Sequence, residues 1–423
     1  MLRKLFDIFS SLKLTVVLLS LSCVLVFLGT MAQDPLGLYL VQHRFFQSLF
    51  VDYVSMSAAV KKTLQMLHIY VTPTTAADVM AAPYVPVFPG GYLLGWALLV
   101  NLVTAHFRYF KATKKKIGIA LIHSGVVLLL LGQFATDLLQ VESHMRLTEG
   151  ETKFFSESSR QSELAIVDTT QPDRDQVVAI PVSRLSGTFQ HETLPFSVEV
   201  KAVFQNATPE FVTTANDPAA ASQGVGPRLK FRQEPPVTRL DSRDVPAALV
   251  ELRDGEKSLG TWWVSNWLAE EPLRRLILQQ SGPAVREALA RPQSFTHAGR
   301  TFELAMRPMR FYEPHSLTLL EFRHDKYKGT EIPKNFSSRV RVQRPDTGED
   351  REVLIYMNNP LRYAGKTYYQ SGYDDKDPRV TILQVVRNPG WLTPYLACVI
   401  VSVGLCLQFG MHLLEFARKR QTS

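Results

Sequence analysis

Apolar and polar positions along this chain follow two different periods. Three runs carry no charge for long enough to cross a bilayer. Residues 14–33 span 20 positions between Lys13 and Asp34, 117–136 span 20 between Lys116 and Asp137, and 388–414 span 27 between Arg387 and Glu415. A helix of about 20 apolar residues crosses a hydrocarbon core, so each run predicts a transmembrane helix. A fourth stretch, GGYLLGWALLVNLVTAHF (90–107), is shorter and contains Asn101 and Thr104. It is read as a span because only it returns the basic residues before Ile117 to the side of the N-terminus. The first run exceeds the roughly 7–15 apolar residues of a signal-peptide core, so it is read as a span that stays, although Met31-Ala32 is weakly cleavage-like.

Between the third and last spans the period drops to two. SELAIVD (162–168), QVVAIPV (176–182), FSVEVKAVF (196–204), LTLLEFRH (317–324), SRVRVQR (338–344) and RVTILQVVR (379–387) read as strands. Asp254-Gly255, Ala298-Gly299 and Ala364-Gly365 supply turns. One helix is expected at 273–290, and the polar, small-residue stretch 205–227 reads as a long mobile loop. LGLYLVQHRFFQSLFVDYV (36–54) reads as an amphipathic helix at the outer interface, with an ordinary packed helix as the alternative. APYVPVFPGGY (82–92), with its prolines and glycines, ends that segment. There is no internal repeat.

The fold class is therefore an integral membrane α + β protein. It has four transmembrane helices and a large exported all-β domain, a sandwich or open barrel, between helices three and four. The expected segments are 1–13 cytoplasmic, 14–33 transmembrane, 34–89 external, 90–107 transmembrane and 108–116 a basic cytoplasmic loop. There follow 117–139 transmembrane, 140–388 exported, 389–414 transmembrane and 415–423 cytoplasmic.

Charge sets the orientation. Arg3, Lys4 and Lys13 precede the first span, Arg108, Lys111, Lys114, Lys115 and Lys116 separate spans two and three, and Arg418, Lys419 and Arg420 follow the last. The positive-inside bias puts both termini in the cytoplasm of a bacterial cell and the β domain outside the inner membrane. Residues 140–388 hold 33 basic and 33 acidic residues, so the net charge of +8 belongs to the flanks and argues against a nucleic-acid platform. Cys23, Cys398 and Cys406 all lie in spans. The exported domain thus has neither a disulfide framework nor a CxxC redox pair, and the chain has no CxxCH haem attachment site.

Histidines carry the candidate chemistry. His123 is the seventh residue of its span, about 10 Å from the cytoplasmic end. An ionisable group at that depth is costly and is a functional-site candidate, with helix packing beside Ser124 and Gly125 as the alternative. A neutral imidazole there suits haem iron or a borderline metal. His106 and His412 fall at similar depth, where each is a weaker candidate ligand or an interfacial side chain snorkelling to the headgroups. His144, His191, His297, His315 and His324 show no metal-ligand spacing, although His144 sits where the third span meets the domain. TWWVSNW (261–267) reads as core-packing strand rather than as a haem platform. No catalytic triad, phosphate loop or nucleotide fingerprint is present.

Three stretches carry a resemblance: SLKLTVVLLSLSCVLVFLGTMAQ (11–33), HSGVVLLLLGQFATDLLQVESHMRLTEGET (123–152) and NNPLRYAGKTYYQSGYDDKDPRVTILQVVRNPG (358–390). With the order of parts, they resemble the ResB family of cytochrome c biogenesis proteins over nearly the whole chain. The resemblance implies a subunit of a cytochrome c synthetase that moves haem across the membrane. It would present that haem, with a ResC (CcsA) membrane partner, for attachment to apocytochrome c. The partner carries the tryptophan-rich haem motif, which TWWVSNW does not replace. The resemblance also implies that His123 ligates a transient, non-covalent haem b within the membrane, and more weakly that His412 is functional. Partners implied are the ResC/CcsA-like protein, apocytochrome c, membrane lipid and thiol-reducing envelope proteins, with no nucleic acid. Thioether formation needs thiols this chain does not supply, so it is at most a subunit of a haem lyase. Two other readings stay open: a non-catalytic envelope assembly protein, and a membrane oxidoreductase subunit with a permanent haem ligated by His123 with His412 or His106.

Overall fold

The long uncharged runs are helices in the computed structural model, which describes residues 2–109, 116–212, 221–239, 242–329, 333–374 and 376–421. Three helices are long and apolar enough to cross a membrane: α2 (Leu12–Leu36), α7 (Ile117–Leu139) and α11 (Thr393–Gln421). α6 (Gly91–Tyr109) follows the fourth expected run and is long enough, but it is less apolar than the other three. The described residues form two units, 1–141 with 238–241 and 387–423, and 142–237 with 242–386.

In the first unit the polar residues of α6 have an internal task. The chain breaks between α1 (Leu2–Phe9) and α2, leaving helix-end carbonyls without helical partners. Buried Asn101 donates from Nδ2 to the carbonyls of Phe9 at 2.7 Å and Ser11 at 3.1 Å, and Thr104 Oγ1 donates to Phe9 at 2.8 Å. Asn101 Oδ1 accepts from Thr15 Oγ1 at 2.6 Å. Their hydrogen bonds are thus met within the unit, which is the condition for polar groups in an apolar helix.

The segment after α2 differs from the single amphipathic helix expected over 36–54. α2 continues through Pro35 to Leu36 and stops at Gly37, whose φ of +80° favours glycine. A short helix α3 (Leu38–Val41), a π turn (Gln42–Phe46) and strand β1 (Phe50–Asp52) follow. Asp52 then caps α4 (Tyr53–Met66) by accepting from the Val54 and Ser55 amides. α5 (Ala76–Ala81) and β2 (Pro86–Pro89) complete the segment, β2 pairing antiparallel with β1. Val41, Phe45 and Val51 are fully buried with Ala32 and Leu36, so the region packs into its own unit, though not as the one helix that either reading expected. Lys111, Lys114 and Lys115 lie outside the described residues.

The second unit is built on one long antiparallel pair, β4 (Thr152–Asp168) and β13 (Arg300–Lys326). Its ten-stranded sheet begins with β3 (Val141–Thr148) and takes in β5 (Gln176–Pro181), β12 (Gln293–His297), β14 (Pro333–Arg344), β15 (Glu349–Tyr356), β16 (Leu361–Tyr363), β17 (Lys366–Asp374) and β18 (Asp377–Arg387). At one end of the long pair, β4 and β13 with β5 and β12 face a four-stranded sheet ordered β11 (Lys257–Ser265), β10 (Ala247–Asp254), β7 (Ser197–Phe204), β6 (Thr188–Phe189). Leu164, Ile166, Val198, Val250, Val264 and Phe302 alternate inward to fill this sandwich. Further along, the sheet runs β15-β14-β13-β4-β3-β18-β17-β16, and a bridge between Tyr356 and Asn359 brings its two ends together. The result is a nearly closed barrel around Met145, Leu317, Val340, Tyr368 and Val385. Ala298-Gly299 and Ala364-Gly365, all with positive φ, make the tight turns before β13 and β17.

All six strands expected from period-two patterning are present. The helix expected over 273–290 is instead α9 (Glu271–Gln280) and α10 (Pro283–Leu289), after a short α8 (Asn266–Ala269). Gly282 sits in extended backbone before Pro283, a position where the proline ring disfavours helix. The expected loop 205–227 contains β8 (Ala207–Phe211), paired with β9 (Leu229–Gln233), while 213–220 lie outside the described residues. Trp262 and Trp263 are buried in β11, confirming core packing.

Candidate functional site

Two faces of α7 do different work. Gly118, Gly125 and Gly132 recur every seventh residue and lie against α11, which runs antiparallel. A Cβ at Gly125 would meet Val401 Cγ2 at 2.6 Å, and one at Gly132 would meet Thr393 Cγ2 at 2.3 Å. The small-residue stripe lets the two backbones approach closely, the main source of helix association in lipid. Residues 123 and 125 are about 200° apart around a helix. His123 therefore points away from α11, on the row that includes Ile119, Val126 and Leu130.

That row closes an apolar cavity of about 560 Å³ with α6 and the start of α2, a volume typical of small-molecule sites. Leu12, Leu19, Leu98, Leu102 and Val126 supply much of its wall. Its polar residues from α2 and α6, Thr15 and Asn101, are bonded to each other and to backbone. His106 and His123 line it together, with ring centroids 5.7 Å apart and planes inclined at 78°. Tyr109 and Lys116 mark the end nearer the α6–α7 connection.

The structure thus brings together two of the three histidines singled out from sequence. His412 lies elsewhere, on α11, the helix that packs against the glycine face of α7. Its Nε2 is 2.8 Å from Gln408 Nε2 one turn earlier, and it does not line the cavity. The cavity walls from α2 were not foreseen. Thr15 and Leu19 carry no chemical signature, and only packing reveals their role.

The histidines of the β unit have structural settings. His315 is buried with Nε2 2.9 Å from the Tyr368 hydroxyl. His324 stacks on Phe336 at 4.5 Å and lies 4.4 Å from the Tyr373 ring. His297 approaches Asp254 at 3.3 Å. Burial holds the His144 imidazole below its usual pKa, with Glu142 opposing and Arg243 reinforcing the shift. Among the described residues, no three His, Cys, Asp or Glu side chains gather as a metal site.

Comparison with known proteins adds a family. Residues 284–382 match the model of the ResB-like family, which bears out the resemblance for the stretch 358–390 that falls mostly within it. The matched segment is the end of the sandwich and most of the barrel. Protein NrfI of Wolinella succinogenes is 34% identical over 103 residues, which are 24% of this chain and 11% of that protein. The chain therefore spans about a tenth of that relative's length, and the cavity histidines fall outside the family match.

Proposed function

We propose that this ResB-like chain is a membrane subunit of the machinery that matures c-type cytochromes. It takes haem as cargo in the cavity between α6 and α7 and presents it, with a ResC/CcsA-like partner, for attachment to apocytochrome c. In this reading α6 is the fourth span and both termini are cytoplasmic, as the basic flanks favour. The β unit then faces the periplasm.

One observation carries the reading: His106 and His123 meet inside a largely apolar cavity. Haem is a planar amphiphile, and the residues present fit it. Apolar side chains from three helices cover a macrocycle, two imidazoles offer axial nitrogens, and Lys116 offers a cation to a propionate. Thioether formation would need ferrous haem iron and reduced thiols, and this chain supplies neither the electron nor the thiols. The chain's own residues bind and orient the cargo, exclude water from it, and let it go without a covalent bond. His123 is the principal ligand. His106 is the second group this chain can offer, or the one displaced when a partner imidazole arrives.

The test is the absorption spectrum of the full chain co-purified with its membrane partner. Haem bands should fall in His123→Gly and return with added imidazole, fall in His106→Gly, and persist in His412→Ala. An unchanged spectrum in His123→Gly would return that residue to helix packing. The geometry also favours a second reading, a permanent haem, because both imidazoles come from one chain. A chase with apocytochrome separates the two, since cargo leaves and a resident group stays.

A further inference from the structure

A second cavity, of about 440 Å³, lies between α6 and α7 near the opposite end of α7 from Lys116. Leu130 lines both cavities, so one side chain forms a wall of each. The walls of this chamber are aromatic: Trp96 and Phe134 meet edge to face at 4.6 Å, and Tyr92 lies 6.3 Å from Phe134. Its polar side chains are a carboxylate, a phenol and three amides, with no basic group among them. Asp137 accepts hydrogen bonds from the Tyr92 hydroxyl and, at 2.8 Å, from Gln47 Nε2. The Gln133 amide lines the same space and makes no hydrogen bond among the described residues.

Two features ask for a ligand. Gln133 stands six residues inside the end of α7, about 9 Å along the helix. An amide presented at that depth without a partner is costly in lipid. In addition, a Cβ at Gly95 would meet nothing within 4 Å, so α6 leaves open space on the chamber side.

The chamber's electrostatics narrow the ligand. No Lys, Arg or His lines it, and Asp137 is its one acidic group. Phospholipid phosphates and haem propionates would therefore meet a carboxylate with no cation to offset it. A neutral ring with hydrogen-bonding oxygens meets no such penalty. Asp137 already accepts one phenolic hydroxyl, that of Tyr92, and Gln133 Nε2 is placed to donate to a carbonyl oxygen. We infer that this chamber binds the head group of an isoprenoid quinone or hydroquinone from the membrane. The ring lies among Trp96, Phe134 and Tyr92, one oxygen accepts from the Gln133 amide, and in the hydroquinone the other hydroxyl donates to Asp137. The inference needs these helices to cross the bilayer but does not need the haem reading.

The experiment is photolabelling of the full chain in isolated membranes with an azido-quinone, followed by peptide mapping. Label is expected on α6 or α7 near Trp96 and Phe134, competed by excess unlabelled short-chain quinone. Gly95→Leu fills the open space with a helix-compatible side chain and should lower labelling by about tenfold or more. Gln133→Leu should lower it less, and Gly410→Leu, at an open position on α11, should leave it unchanged. Labelling that survives Gly95→Leu, resists competition or is absent from the wild type would overturn the inference. Gly95 does not line the histidine cavity. An intact haem spectrum in Gly95→Leu therefore shows that a change in labelling is separate from any failure of the haem site.

Discussion

His315 lies where β13 breaks register with β4, between Tyr312 and Leu317. It is 2% exposed, and its Nε2 reaches across the barrel to the hydroxyl of fully buried Tyr368 on β17. Glu313 in the same bulge pairs with Lys366. The bulge thus ties β13 to the far side of the barrel. Replacing His315 with leucine leaves a buried phenol without its partner, expected to cost about 1–3 kcal/mol at neutral pH. A second effect opposes this one in acid. Burial, then Lys366 and Arg344, hold the folded imidazole below its usual pKa, against Glu349. The unfolded histidine takes a proton as pH falls below about 6.5, and the folded one does so only at lower pH. Stability is therefore full above the unfolded value and is lost progressively as pH falls toward the lower folded value. His315→Leu should be less stable than wild type near pH 7.5, and the gap should narrow as pH falls toward 5.5. Urea midpoints of the full chain, followed by tryptophan fluorescence, measure this because Trp262, Trp263 and Trp267 lie in the β unit. His144 titrates in the same direction but is common to both proteins, so it cancels in the difference. Adding Tyr368→Phe should recover most of the loss at neutral pH. An equal gap at both pH values would refute the reasoning.

Further outcomes follow from other contacts. Gly125→Leu places a side chain where a Cβ alone would lie 2.6 Å from Val401. It should abolish monodisperse chain on size exclusion, whereas Gly95→Leu should not. Arg307 pairs with Glu163 at 3.0 Å, with side chains 11% and 6% exposed. Arg307→Met should cost about 3–5 kcal/mol by stranding the carboxylate, and Arg307→Met with Glu163→Leu should recover most of it in the same urea titration. Trp263 packs between Phe204 at 5.8 Å and Phe231 at 5.5 Å, so Trp263→Ala should cost about 3–5 kcal/mol.

Much of this architecture is written in local pattern. Uncharged runs of membrane length leave little choice but helix, because backbone groups in an apolar setting must be satisfied within the segment. Period-two patterning located the strands, since alternate side chains face opposite sides of a sheet. Turn pairs such as Ala364-Gly365 marked where those strands reverse. Helix ends were less legible. Gly37 stopping α2 and Asp52 starting α4 were both visible as residues, yet the apolar content of 36–54 suggested one continuous helix. The break at Gly282-Pro283 was missed in the same way.

The site divides along the same line. His123 stood out alone because an imidazole in an apolar run is conspicuous, and His106 was placed at similar depth by counting from the end of its span. Which histidine would face it was a matter of rotation and partner choice, and neither is local. The glycine repeat of α7 commits one face to α11, where His412 resides, and so turns His123 toward His106. Sequence by itself determined the long helices, the patterned strands and the position of each imidazole along its helix. Tertiary packing decided which two imidazoles share a cavity, because close backbone approach at Gly118, Gly125 and Gly132 sets the rotation of α7.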